Sequence, residues 1–182
     1  MGCCDSSNHT PSKAGNMGTE TDNAKPLVIF VMGGPGVGKG TQCRKLLAQF
    51  PQLDSYSTGA LLRKKVAEGT KESAELKQKM SNGELISSEL VVGLMKEYMQ
   101  NSEKNIFLAD GFPRSQENID VWEKVMGDVA DLKFLLLFDL DGETMLERLL
   151  KRASESAVKR DDDTEEVFHK RIETFEKSLP IF

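Results

Sequence analysis

The stretch that decides the fold is Gly33-Gly34-Pro35-Gly36-Val37-Gly38-Lys39-Gly40-Thr41. It follows the short apolar run 27–32 and precedes a helical pattern over 42–50. Glycines let the chain turn without a Cβ, so successive main-chain amides can point into one concave nest. The next helix adds its unpaired N-terminal amides, and Lys39 adds a cation that can follow a phosphoryl group. The order strand, glycine loop, helix predicts a phosphate-binding loop.

The spacing of this loop departs slightly from the usual pattern. The motif G-x-x-x-x-G-K is followed by Ser or Thr, whereas here Gly40 takes that place and Thr41 comes one position later. An ordinary glycine-rich turn is the alternative, but it would not require a lysine at this position. We therefore expect residues 34–41 to bind the phosphates of a nucleotide.

A second motif follows the apolar run 106–110, which ends in a carboxylate and continues as Gly111-Phe112-Pro113-Arg114. In open α/β sheets, ligands bind outside the carboxyl ends of the strands. Asp110 at such a strand end can order the water shell of Mg²⁺, a cation that keeps several waters and takes few protein ligands. Arg114 can clamp a phosphate through two parallel hydrogen bonds.

Composition limits the function classes. The 182 residues carry a net charge of -5, with 38% hydrophobic and 29% charged residues, which fits one domain with a sizeable core. An acidic balance argues against a nucleic-acid binder. Cys3, Cys4 and Cys43 have neither a disulfide framework nor a metal-ligand spacing, so a reducing, cytoplasmic compartment is expected, and Cys43 is expected to be a small core residue.

The two motifs together resemble the adenylate kinase family of nucleoside monophosphate kinases, which includes the UMP/CMP kinases. The resemblance covers residues 27–182. It implies a parallel α/β sheet of the P-loop kinase fold, flanked by helices, in a domain spanning 26–182. A small insert at 58–87 would close over the monophosphate (NMP), and a short lid at 152–162 would close over ATP. The implied reaction uses ATP as the phosphoryl donor together with Mg²⁺. The resemblance also implies that the enzyme is a monomer.

The resemblance also implies residue roles. The loop residues 34–41 would bind ATP together with Arg148 and Arg152, which share one helix face because they are four apart. Surface arginines that merely snorkel are the alternative. The charges at the transferring phosphoryl would come from Lys39, Arg114, Arg152, Arg160 and Arg171. The nucleoside monophosphate would meet Thr58, Arg63, Glu84, Leu85, Ile86, Gly111, Phe112, Pro113, Arg114, Asn118, Arg160 and Arg171.

The clues to base preference disagree. Thr58 stands where AMP-specific members tend to have Thr, whereas Asn118 and Trp122 are more typical of UMP/CMP kinases. We give Thr58 slightly more weight, because its hydroxyl would contact adenine directly. The expected acceptor is therefore AMP, with UMP or CMP as the alternative.

The lid region departs from the family pattern, because its glycine is lost and the stretch after Arg152 is longer. Asp163 is expected to cap the last helix, with Glu166 three places on completing a capping box. The residues from Ala153 to Asp163 are polar and are expected to be non-helical.

The tail, residues 1–25, is expected to be disordered because it has almost nothing to bury. Its first residues match M-G-x-x-x-[ST], the pattern for N-myristoylation of Gly2. Stable anchoring needs a second signal, which palmitoylation of Cys3 and Cys4 would provide. The protein would then sit on the cytoplasmic face of a membrane. A random polar tail is the alternative.

The chain ends at Phe182, before the last strand and helix of the family pattern. The apolar strand 134–138 is then expected to become an exposed edge, which favours low stability or self-association. This feature and the altered lid support a competing hypothesis, a membrane-tethered nucleotide-binding protein that no longer turns over.

Overall fold

One parallel sheet organises the part of the chain that the computed structural model describes, residues 24–156, 160 and 162–179. Its strands are β1 (Leu27–Met32), β2 (Leu53–Ser57), β3 (Ile106–Asp110) and β4 (Asp131–Leu137). They lie in the order β2-β3-β1-β4, and every pair is parallel. The expected α/β fold class is therefore confirmed. Gly2, Cys3 and Cys4 lie outside the described residues, as do lid residues 157–159 and 161.

The helices are bounded by local capping signals. Five helices begin after a capping residue whose side chain accepts a hydrogen bond from an amide in the first turn. These capping residues are Thr70, Ser87, Ser115, Asp141 and Thr164. The helices are α1 (Lys39–Gln49), α2 (Thr58–Val66), α3 (Lys71–Ser81), α4 (Ser88–Gln100), α5 (Gln116–Met126), α6 (Gly142–Glu155) and α7 (Glu165–Ser178).

Two expectations near the lid were wrong. Thr164, not Asp163, caps the last helix, and its hydroxyl accepts the Val167 amide at 3.3 Å. Asp163 is not available because Arg152 already occupies its carboxylate. Residues 153–155 belong to α6, so the helix continues further toward the lid than the polar composition indicated.

The sheet is covered on both faces. One face packs Phe30 and Phe107 into the larger core, against Trp122 and other residues of α4 and α5. The other face packs Val31 and Leu108 against Cys43 of α1, which is buried as expected. Because β1 and β3 are buried on both sides, they read in sequence as continuous apolar runs.

The carboxyl ends of the central strands meet at one edge of the sheet. Asp110 pairs in register with Val31 of β1 and with Ser57 of β2. The glycine loop leaves β1, α2 leaves β2 and the Gly111 turn leaves β3 at this edge. The topology therefore brings together the sequence motifs that lie far apart along the chain.

Strand β4 is the edge of the sheet within the described residues, where it pairs with β1 alone. It is longer than the predicted 134–138. Leu132, Phe134 and Leu137 are 47%, 52% and 50% exposed. These exposed apolar side chains agree with the expected exposed edge. Among the described helices, none combines the length and the apolar character needed to cross a bilayer.

Candidate active site

The glycine loop is held so tightly that two of its glycines have no substitute. Gly33 and Gly36 have φ angles of 144° and 85°. A Cβ on Gly36 would lie 2.1 Å from the Met145 carbonyl oxygen, and one on Gly33 would lie 2.6 Å from that of Phe138. The loop is thus packed against the start of α6 and the end of β4. No side chain caps α1 at Gly38, and the Thr41 amide donates to the Gly38 carbonyl at 3.0 Å, so the preceding amides of Lys39 and Gly40 are the ones left to an anion.

Lys39 lies inside this loop. Its ammonium donates hydrogen bonds to the carbonyls of Gly33 and Gly34 at 2.7 and 2.9 Å. Burial lowers the pKa of Lys39 to about 8, and the nearby Asp110 carboxylate only partly opposes that effect. The guanidinium groups of Arg114, Arg152 and Arg171 lower the pKa further. A phosphate entering the loop would supply negative charge, which would offset both the burial of the ammonium and its repulsion by these arginines and so raise the pKa of Lys39.

A cleft of about 970 Å³ opens beside the loop and gathers every cation that the sequence predicted. Its wall is formed by the glycine loop and α6, by α2 and the Gly111 turn, and by residues of α7. The predicted cations in its wall are Lys39, Arg63, Arg114, Arg148, Arg152, Arg160 and Arg171. So many cations around one cavity indicate a polyanionic ligand.

Arg44 and Lys151 also line the cleft and were not predicted. The Arg44 guanidinium lies 3.4 Å from the hydroxyl of Thr41. Lys151 follows Arg148 by one helical turn on α6. Helical spacing from Thr41 and from Arg148 would have found both residues.

Asp110 lies beside the glycine loop, and its carboxylate has an unusual environment. Its Oδ1 atom is buried and accepts no hydrogen bond within the described residues. Burial raises the pKa of Asp110, and the charges of Lys39 and Arg114 oppose the shift. A buried carboxylate oxygen without a partner is the kind of acceptor that a hydrated cation can use. The described residues hold no cluster of three or more His, Cys, Asp or Glu that could hold a metal ion directly.

Arg114 is fixed by the turn that precedes it. Its Nε donates to the Gly111 carbonyl at 2.9 Å, and its backbone amide donates to Asn118 Oδ1 at 2.9 Å. Asn118 in turn donates to the Ser88 hydroxyl at 2.7 Å. Asn118 therefore orients the Arg114 turn from within the protein.

Two arginines of the cleft are held by consecutive aspartates of the lid region. Arg152 binds Asp163 through two hydrogen bonds of 2.8 and 2.6 Å, and Arg171 pairs with Asp162. Both aspartates are buried. Burial works to raise the pKa of Asp162, but the charges of Arg171 and Arg63 outweigh it and the pKa lies below its usual range.

Several residues predicted at the monophosphate lie outside the cleft wall. Thr58 is 3% exposed, and its hydroxyl donates to the Gly111 carbonyl at 3.1 Å. Phe112 packs edge-on against Phe30 in the core. Of the residues 84–86, only Leu85 lines the cleft. The predicted residues that the cleft wall does not include are Gly34, Thr58, Glu84, Ile86, Phe112 and Asn118.

These positions have physical reasons. Phe112 and Ile86 are apolar and join the larger core, and the amide of Asn118 is engaged by Ser88 and Arg114. The Glu84 carboxylate accepts from Asn82 at the surface. Gly34 lies behind the loop, where its Cβ would meet the Met145 sulfur at 2.7 Å, but its carbonyl holds Lys39.

Fold and cleft together define the class: a P-loop protein that binds phosphate at the carboxyl edge of a parallel sheet.

Comparison with known proteins takes this class further. Residues 31–181 match the adenylate kinase family. UMP-CMP kinase from Mus musculus is 41% identical over 164 residues, covering 86% of this chain and 82% of its own. UMP-CMP kinase from Homo sapiens is also 41% identical, and that from Xenopus laevis is 39% identical. The shared region covers 85% of this chain in both cases, and 80% of the human and 81% of the frog protein. The chain belongs to the adenylate kinase family of nucleoside monophosphate kinases.

Proposed function

We propose that this chain, as an ATP-dependent nucleoside monophosphate kinase, transfers the terminal phosphoryl group of ATP to UMP or CMP. One observation carries the reaction class: Lys39 and the predicted arginines line a single cleft that joins the glycine loop to the Arg63 and Arg114 side. The similarity to the UMP-CMP kinases of mouse, human and frog supports the choice of acceptor.

The preference for AMP drawn from Thr58 is not supported. The relatives named above are UMP-CMP kinases, and the Thr58 hydroxyl is bonded to main-chain carbonyls instead of facing the cleft. A hydroxyl already engaged in this way is a poor candidate for a direct contact with adenine.

The donor nucleotide would place its phosphates on the glycine loop. The Lys39 and Gly40 amides at the start of α1 would bind phosphate oxygens, and Lys39 would leave the carbonyls of Gly33 and Gly34 to follow the transferring group. Arg148 and Arg152 of α6 line the same side of the cleft. Their charges would neutralise the outer oxygens of the triphosphate.

The acceptor would lie on the opposite side, between α2 and the Gly111 turn. Arg63 and Arg114 reach the cleft there and would hold the monophosphate in line with the donor. Phosphoryl transfer spreads negative charge over the moving group and needs no covalent intermediate. The facing guanidinium groups of Arg160 and Arg171 would stabilise that charge.

Magnesium fits this arrangement through Asp110. The buried Oδ1 of Asp110 has no partner among the described residues, and its place in the cleft wall beside the loop suits a contact through an ordered water. The chemistry that Mg²⁺ supplies when bound is positive charge that offsets the charge of the donor phosphates. Asp110 would orient the water shell, and Lys39 would stay protonated beside it.

The lid region would keep arginines near the transferring group. Asp162 and Asp163 hold Arg171 and Arg152, and the arginines line the cleft whereas the aspartates do not. An arginine fixed in this way loses less side-chain freedom when phosphate binds. Closure of residues 58–87 and 152–162 over the substrates would exclude water and limit hydrolysis of ATP.

A coupled assay of ADP formation with UMP, CMP and AMP in turn tests the proposal. We expect turnover with UMP and CMP and a lower kcat/KM with AMP. Turnover confined to AMP would contradict the choice of acceptor. Binding of ATP without ADP formation from any acceptor would contradict the kinase assignment and favour the non-catalytic, nucleotide-binding alternative.

Lys39→Met tests the role of the loop within the same assay. We expect a loss of about 10²–10³-fold in kcat, because the main cation at the transferring phosphoryl is removed. Lys45→Met is the matched control, since Lys45 lies exposed on α1 and does not line the cleft. Survival of Lys39→Met activity within about tenfold would show that the roles are misassigned.

Membrane attachment is a separate proposal that the N-terminal motif alone supports. Gly2 would carry a myristoyl chain, and Cys3 or Cys4 would add palmitate. Metabolic labelling with a myristate analogue in cells tests it, with Gly2→Ala as the control. Absence of label on the native chain would overturn the proposal.

A further inference from the structure

A second cavity of about 380 Å³ lies on the α5 face of the sheet, away from the glycine loop. Its wall is mainly apolar, with Phe30 and Leu135 from the sheet and Ile119 and Trp122 from α5. Leu132 of the edge strand stands at the cavity and is 47% exposed. This volume falls in the range of ligand pockets, about 300–1,000 Å³. The kinase reaction described above uses none of these side chains, although Pro113 lines both this cavity and the cleft.

The N-terminal tail joins the described part of the chain beside this cavity. The Lys25 ammonium donates to the Gly127 carbonyl at 3.0 Å, and the Asp131 amide donates to the Pro26 carbonyl at 2.8 Å. Gly127 and Asp131 both line the cavity. The tail is therefore anchored at the rim of an apolar pocket.

The N-terminal tail is long enough for Gly2 to reach the cavity. Residues 2–24 precede this anchor point, and an extended chain spans about 3.3 Å per residue. An acyl chain on Gly2 can thus reach the pocket from the same molecule. Tethering also raises its effective concentration there, which favours it over free lipid.

The geometry points to this cavity as the docking site of the N-terminal acyl chain of the same protein. The inference rests on the proposed myristoylation of Gly2 and is independent of the kinase reaction. Each methylene removed from water contributes a similar free energy, whether it enters a bilayer or an apolar protein pocket. The cavity and the membrane therefore compete for one chain, and a myristoyl group alone binds membranes only marginally. Docking would keep the singly acylated protein off membranes until a second acyl group is added.

The test uses the full chain co-expressed with an N-myristoyltransferase, with acylation verified by intact mass. Trp122 is the only tryptophan of the protein and lines the cavity, so its fluorescence reports occupation. We expect the acylated chain to differ from Gly2→Ala in Trp122 emission and in quenching by acrylamide. Membrane binding is measured with vesicles of neutral phosphatidylcholine. A neutral lipid is used so that an arginine introduced into the protein does not itself attract the protein to the vesicles.

Leu132→Arg places a charge at the cavity, and Phe134→Arg is the matched control. Phe134 is 52% exposed on the same strand but does not line the cavity. If the cavity holds the chain about nine-tenths of the time, its disruption raises vesicle affinity about tenfold. We expect this rise for acylated Leu132→Arg and none for acylated Phe134→Arg.

Any of three results would overturn the inference. The first is that the transferase fails to acylate the chain, the second is that acylation leaves the Trp122 signal unchanged, and the third is that the acylated Leu132→Arg and Phe134→Arg chains bind vesicles equally. A Trp122 response to added free myristate, but not to the tethered chain, would assign the cavity to a separate lipid and overturn it as well. ADP formation by the unacylated Gly2→Ala chain is measured in parallel, so failure of the kinase assignment is seen separately.

Discussion

Asp163 holds Arg152 through two hydrogen bonds, from Nε at 2.8 Å and from the terminal nitrogen at 2.6 Å. The carboxylate is buried, whereas the Arg152 side chain is 37% exposed to the cleft. The pair thus fixes the end of α6 to the segment before α7 and leaves part of the guanidinium open to a phosphate.

Replacing Asp163 with Asn should weaken this link while keeping its shape. We expect the free energy of unfolding to fall by about 1–2 kcal/mol, because one strong charged pair is lost from a partly solvated site. Urea denaturation measures the change. Glu166→Gln is the control, since its pair with Lys170 is solvent-exposed and should contribute little to the free energy of unfolding. Equal effects of the two substitutions would contradict the structural role of Asp163.

The lowered pKa of Lys39, about 8, predicts a pH-dependent affinity for ATP. Below this pH the ammonium is charged in both the free and the bound protein, so affinity should not depend on this group. Above it the free lysine is neutral and must take up a proton when the triphosphate binds. Affinity should then fall by up to about tenfold per pH unit.

Titration calorimetry in buffers of different ionisation enthalpy measures this proton uptake directly. Lys39→Arg is the control, because a guanidinium stays protonated throughout and should give a flat profile. Proton uptake by Lys39→Arg equal to that of the native chain would assign the effect to another group.

Thr58→Ala tests whether this residue selects the base. Its hydroxyl bonds the carbonyls of Asp110 and Gly111, so its loss should lower the free energy of unfolding by about 1 kcal/mol. The ratio of kcat/KM for UMP to that for AMP should change by less than about threefold, which is under 1 kcal/mol. Thr58→Ser keeps the hydroxyl and should retain most of the stability. A large gain or loss of AMP activity in Thr58→Ala, but not in Thr58→Ser, would support a direct contact between the Thr58 hydroxyl and the base.

Asp110→Asn should separate activity from stability. A buried carboxylate oxygen without a partner costs free energy, and burial raises the pKa of this group. We therefore expect thermal stability at pH 7 to be unchanged or higher. Turnover should fall by about 10²-fold, and half-saturation should need more Mg²⁺.

The matched control for Asp110→Asn is Asp120→Asn, an exposed position on α5 that accepts from Gln116. Its activity and Mg²⁺ dependence should match those of the native chain. An unchanged Mg²⁺ profile in Asp110→Asn would argue against the water-mediated contact.

Strand β4 predicts self-association through its exposed apolar edge. Phe134→Lys should reduce concentration-dependent association, because a charge at a strand edge disfavours pairing with another chain. Phe50→Lys is the control, since Phe50 is similarly exposed at 44% but lies at the end of α1. Sedimentation velocity over a range of protein concentrations measures the effect. A sharp, concentration-independent thermal transition from a monomeric native chain would refute the expectation.

Local sequence rules worked where the chain obeys one dominant constraint. The apolar runs predicted β1 and β3, both at the bounds that the structure has, because strands buried on both faces must be apolar throughout. The rules were less accurate where distant groups compete for a residue. Asp163 fits a helix cap by its position, but Arg152, eleven residues earlier, takes its carboxylate. Thr58 and Asn118 look like ligand contacts in sequence, yet main-chain groups from the Gly111 turn occupy both side chains.

The sequence by itself determined the glycine loop, the family and the identity of the cations, because these depend on residue type and short spacing. Only the tertiary structure decided which side chains reach the cleft. Strand order brings the ends of β1, β2 and β3 to one edge, and buried polar groups must find partners there before any ligand arrives. That requirement turns Thr58 and Asn118 inward. Asp110 Oδ1 is the exception, because it has no partner among the described residues and is left for a ligand. The tertiary structure also places the second cavity beside Lys25 and Pro26.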